Sequence, residues 1–126
     1  MAKSLYFKLK TLNFSLPLPK NITLTMMKTT IFERDGEAIA QFEGRLDTTA
    51  AAQTEQDLKP LYETTCSAIV LDCSELQYIS SSGLRLFLGL LKASKPKGIH
   101  VIISSLNNNL RQVFAMTGFT SLFEFR

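Results

Sequence analysis

Histidine occurs once in the 126 residues, as His100, and cysteine twice, as Cys66 and Cys73. Three such residues at unrelated spacings do not make a metal set, so no metal site is expected. The two cysteines are seven positions apart, about 23 Å on an extended backbone, which is too far for a disulfide between them. Cys73 alternates with Ile69 and Leu71 and reads as a small buried hydrophobe in a reducing cytoplasm. Phosphate-cradling glycine loops are missing too: nothing matches Gly-x-x-x-x-Gly-Lys-Ser or Gly-x-Gly-x-x-Gly, and no nucleotide or other cofactor is expected. The run Ser80-Ser81-Ser82-Gly83 lacks the glycine two residues before the nucleophile that a strand-to-helix elbow requires. With a single histidine to serve as base, no catalytic set is visible and the expectation is a protein that is not an enzyme.

Acidic residues are absent from positions 1–26, which hold Lys3, Lys8, Lys10 and Lys20. Removing those four from the 14 basic residues leaves 10 against all 11 acidic ones, so the formal +3 becomes −1 from Met27 onward. The basic balance belongs to one end of the chain, and attraction to a nucleic-acid backbone is not expected of the rest. The opening segment has no apolar run long enough to span a bilayer and no clean cleavage signature, and Pro17 and Pro19 interrupt any amphipathic helix in it. Two readings stay open: an N-terminal extension of residues 1–26, or upstream sequence ahead of a natural start at Met27. Residues 27–126 then form one domain, in keeping with an apolar content of 45% and only 20% charged residues.

Within that domain the runs Thr29–Glu33 and Glu37–Glu43 flank Asp35-Gly36, a strong hairpin signal. Thr48–Tyr62 is rich in helix formers, with Asp47 or Thr48 placed to cap it and Pro60 set to bend or end its last turn. Ala68–Cys73 is almost wholly apolar, as a strand buried on both faces should be. Asp72 is placed to hold the loop after it. The spacing predicts a helix over Ser82–Ser94, with Leu84, Phe87, Leu88 and Leu91 as its inward stripe and Arg85 and Lys92 away from it. Leu86 and Leu90 fit neither face. A strand over Gly98–Ile103, with His100 partly exposed, a helix over Asn107–Thr117 stopped by Gly118, and a last strand over Phe119–Phe125 complete the chain. The order is β-β-α-β-α-β-α-β, an α/β fold: a mixed sheet with a parallel centre and helices packed on it.

Three spaced signatures in this order resemble the STAS domain, the fold of bacterial anti-sigma factor antagonists and of the cytoplasmic tails of sulphate transporters. They are Gly44-Arg45-Leu46-Asp47; Ile69-Val70-Leu71-Asp72 leading into Ile79-Ser80-Ser81-Ser82-Gly83-Leu84; and Leu110 through Val113-Phe114-Ala115-Met116-Thr117-Gly118-Phe119. The resemblance runs from Lys28 to Arg126. It implies that Ser82, the serine before the glycine, is the phosphorylation site of an anti-sigma factor that is itself a serine kinase, with a serine phosphatase to reset it. Ser80 stands where that family has an aspartate, keeping an oxygen for capping but losing the charge.

The partner surface implied comprises Asp47, Ser80, Ser81 and Gly83, with Leu86 and Leu90 as its apolar part. An N-cap explains Asp47 equally well, and a helix-start serine without modification remains an alternative for Ser82. The family usually continues into a terminal helix; here the expectation is that a second copy, as a homodimer, or residues 1–26 covers that face. The function implied is cytoplasmic and bacterial, regulating transcription without contact to nucleic acid or membrane. The alternative is a constitutive adaptor subunit of a lipid or anion transporter.

Overall fold

The computed structural model describes residues 27–126. The expected extension over residues 1–26 and the cover expected of it lie outside the described residues. The first two strands, β1 (Lys28–Arg34) and β2 (Glu37–Leu46), form the hairpin. Asp35 and Gly36 take φ of 53° and 80°, the two left-handed residues of a turn whose twist suits a two-residue hairpin. A helix α1 (Thr48–Asp57) and a short α2 (Lys59–Tyr62) divide the single helix expected over Thr48–Tyr62. Pro60 has no N–H to offer a continuing helix, and the chain kinks at Leu58, which is 1% exposed and anchors the break in the core.

Next come β3 (Ala68–Ile79), α3 (Ser81–Ser94), β4 (His100–Ser104), α4 (Asn108–Met116) and β5 (Glu124–Phe125). The β4 strand starts at His100 rather than Gly98, because Lys95–Lys97 makes a 3-10 turn that Gly98 ends in a left-handed conformation, φ 72°. The last strand is two residues long where Phe119–Phe125 was expected. Phe119–Ser121 instead forms a 3-10 turn, and Phe119 and Phe123 both pack on Phe114, with ring centroids 6.2 and 6.3 Å away. Aromatic anchoring on one ring favours the turn over extended chain. The final residue is held in place: the Arg126 N–H donates to the Ile103 carbonyl at 2.9 Å, and its guanidinium grips the Glu37 carboxylate at 2.9 and 3.1 Å.

All five strands lie in one sheet in chain order, with β1 antiparallel and the other pairs parallel. A sheet that grows in one direction through right-handed crossovers places its helices on one face. The packing agrees. Alternate strand residues Ala40, Phe42, Ile69, Leu71, Cys73, Val101 and Ile103 share a single core with Leu58, Phe87, Leu90, Leu110 and Phe114 from the helical segments. Ile39, Ala68, Val70 and Ile102 point the other way and form a separate apolar cluster with Phe32. Burial pushes the Cys73 thiol well above its usual range, with Asp72 adding to the effect, so this free cysteine stays a neutral core group.

On α3 the inward stripe is Gly83, Leu84, Phe87, Leu90 and Ser94. The stripe is rotated from the expected one because its two ends are a glycine and a serine, which carry no apolar signal. Leu90 is therefore corrected: it is fully buried, against the expectation of a docking residue, while Leu88 is only half-buried. Leu90→Ala should cost about 2–5 kcal/mol of unfolding free energy, measured by urea denaturation; a loss below 1 kcal/mol would return Leu90 to the surface.

Candidate functional site

Strands β2 and β3 end side by side, with Leu46 paired to Ile79, and the Ser80 N–H donates to the Leu46 carbonyl at 2.8 Å. Two helices therefore begin next to each other. Asp47 caps α1, its Oδ1 accepting from the Ala50 N–H at 2.8 Å, and Ser80 caps α3, its Oγ accepting from the Gly83 N–H at 3.2 Å. Each cap satisfies a donor that the helix itself cannot, the reason such oxygens recur at helix starts. Serine at 80 fulfils the capping duty without a carboxylate. Asp72 also bonds locally, its Oδ1 accepting from the Ser74 N–H at 3.0 Å, but the loop expected after it is absent: β3 continues past it to Ile79.

Gly83 sets how close α3 comes to the strands. A Cβ built there would lie 2.8 Å from Ile79 Cγ1 and 2.8 Å from Leu46 Cγ, closer than carbon atoms pack, and both partners are buried. The structure thus turns Gly83 inward, and Ser80, 8% exposed, is turned inward too. Neither offers the surface expected of it, since each is consumed in seating the helix. Ser81 is exposed, and Ser82 and Asp47 are half-exposed. Among the described residues the Ser82 hydroxyl makes no hydrogen bond, and it sits in the first turn of α3, where the helix dipole favours negative charge.

From Ser82 a groove of about 340 Å³ runs between α1 and α3. Ala51, Ala52 and Glu55 form the α1 wall, and Arg85, Leu86 and Gly89 continue the α3 wall. Tyr62 closes the far end; its hydroxyl would stand 3.3 Å from a Cβ at position 89, so glycine keeps that end open. Burial, with the nearby Glu55 charge second, raises the Tyr62 pKa, and the phenol stays protonated at neutral pH. Leu86 is half-buried and lines this groove while packing against the core, so it serves both sides. The groove residues of α1 could not be picked out from the sequence. Their signal is the run Ala50-Ala51-Ala52, small side chains on a helix where larger ones would have filled the space.

A cation sits beside the same junction. Arg45, paired with Tyr78 across β2 and β3, holds its guanidinium carbon 4.2 Å from the centre of the Tyr78 ring, which is 39% exposed. His100 lies far along the chain from these residues, exposed and 2.6 Å from the Glu124 carboxylate. Among the described residues no group of three or more His, Cys, Asp or Glu side chains could hold a metal ion, and no helix is long and apolar enough to cross a membrane.

The family model of the STAS domain matches residues 28–126. The protein named BtrV in Bordetella bronchiseptica, whose name proposes an anti-sigma factor antagonist, is 34% identical over 97 residues, which are 77% of this chain and 84% of that one. Among solved structures, an anti-sigma factor antagonist from Mycobacterium paratuberculosis superposes with a TM-score of 0.69 at 22% identity, covering 79% of this chain and 85% of its own. The Bacillus cell fate determinant SpoIIAA in its phosphorylated form superposes with a TM-score of 0.61 at 18% identity, covering 79% of this chain and 91% of its own.

Loss of the α3 cap in Ser80→Ala should lower stability by about 1 kcal/mol, and Gly83→Ala by roughly 1–3 kcal/mol through overpacking against Leu46 and Ile79. Thermal and urea melts check both. A Gly83→Ala protein as stable as the parent would show that the strand ends yield, and that the glycine is not required for the seat of the helix.

Proposed function

The chain belongs to the STAS domain family, and on that premise we propose that it is an anti-sigma factor antagonist switched by phosphorylation of Ser82. The observation that carries this reading is the placement of Ser82: a half-exposed hydroxyl, unpartnered among the described residues, at the head of a groove between two helix starts. In the unmodified state the groove and the flank of α3 dock on an anti-sigma factor that is also a serine kinase, and the sigma factor is released. Phosphorylation adds roughly −1.5 to −2 charges and three acceptor oxygens at the docking surface, which a partner built for a neutral hydroxyl cannot desolvate. Binding then fails until a serine phosphatase removes the group. Leu86, Ala51 and Ala52 supply the apolar contact, Ser81 and Asp47 its polar edge, and transcription is regulated with no contact to nucleic acid.

The likeness to BtrV supports the role, and the site is placed in the bacterial cytoplasm by the same reading. It is a binding module that needs no cofactor, metal or catalytic set, and association into a homodimer is compatible with it. A second reading is favoured by one residue. Ser80 stands where the family has an aspartate, and an adaptor subunit of a lipid or anion transporter, binding constitutively, has no need of a kinase's recognition carboxylate.

Incubation with a cognate kinase anti-sigma factor and ATP separates the two. A phosphoryl group on Ser82 that weakens the complex is expected; a stable complex without modification would establish the adaptor instead. In calorimetric titrations Ser82→Asp should weaken binding at least about tenfold more than Ser82→Ala, and equal affinities would remove charge from the mechanism. Ala52→Arg, at an exposed position of α1 where arginine is a good helix former, should block the groove and lower affinity without lowering the melting temperature. Unchanged affinity would move the docking surface elsewhere.

A further inference from the structure

Arg85 lies one turn after Ser82 on α3, is exposed, and is the single cation among the residues that line the groove. Among the described residues it enters no ion pair or hydrogen bond, whereas Arg45, the other nearby guanidinium, is committed to the Tyr78 ring. Residues three apart on a helix have Cβ atoms about 5–6 Å from one another. Helical side chains also lean toward the N-terminus, so the Arg85 guanidinium leans over the turn that contains Ser82.

We infer that Arg85 clamps the phosphoryl group on Ser82, so that the modified protein closes the head of its own groove with an internal ion pair. The inference rests on the reading of Ser82 as the phosphorylated residue. A guanidinium presents paired N–H donors that match two phosphoryl oxygens, an arrangement stronger than a single charged contact. Glu55 faces the same groove from α1 and repels the phosphoryl group, which drives it toward Arg85 and the α3 side. Without phosphate the guanidinium stays in solvent and the groove is open. With phosphate, the group and the arginine together occupy the place where a partner side chain would enter, so release comes from occlusion as well as from repulsion.

The test is a ³¹P NMR titration of protein carrying phosphoserine at position 82, introduced during translation so that no kinase is needed. A phosphoserine ordinarily has its second pKa at about 6; the adjacent guanidinium should lower it by roughly half a unit or more. Arg85→Gln should raise it back toward the ordinary value, leaving only the effect of the helix start, and Arg85→Lys, which keeps the charge but not the paired donors, should fall between. Identical titrations for the parent and Arg85→Gln overturn the inference. So does a weaker complex of unphosphorylated Arg85→Gln with the anti-sigma factor coupled to an unchanged titration, which assigns Arg85 to the partner. A kinase that leaves Ser82 untouched would instead sink the proposed switch, and the titration would still report on Arg85.

Discussion

Helix α3 begins against Leu46 and Ile79 at a separation that a side-chain carbon at position 83 would not permit. That contact positions everything the site uses. It holds the end of β3 beside the end of β2, lets the Ser80 N–H reach the Leu46 carbonyl, and places the starts of α1 and α3 side by side. The serine before the glycine is thereby pushed out to the rim, while the glycine and the capping serine are drawn in. One residue of a short polar motif faces solvent because its neighbours face the core.

Much of this was legible in the residues themselves. Asp35-Gly36 announced a hairpin, and the turn has the two positive φ values that such a pair tolerates. Ala68–Cys73 read as a doubly buried strand, and the capping oxygens of Asp47, Ser80 and Asn107 stand where their side chains could serve helix starts. The failures have a common origin in residues that bury without being apolar. Gly83 and Ser94 line the inward stripe of α3 and contributed nothing to its periodicity, so Leu90 was displaced to the outside and Leu88 to the inside. At the end of the chain, aromatic residues that could have formed a strand are drawn into a turn around Phe114, a tertiary preference that local pattern does not contain.

The groove was illegible for a different reason: it consists of what is missing. Alanines on α1 and glycine at 89 leave space, and empty space has no hydrophobic signature. Its charged residues, Glu55 and Arg85, look in sequence like ordinary solvated positions on two separate helices. Only the parallel placement of α1 and α3, fixed by the pairing of β2 with β3, puts them across from one another. Ser80 fits the same economy of local roles, since the cap needs an acceptor oxygen and receives one.

Because the strands are laid down in the order in which they are spelled, each new one meets an edge already present, and the chain never has to reopen a finished pair. The hairpin, both capped helix starts and the full length of α3 are complete by Ser94. A nascent chain emerging from the ribosome would therefore have its proposed docking surface outlined before about the final third of the domain is synthesised, and β4, α4 and β5 would arrive as a buttress behind it.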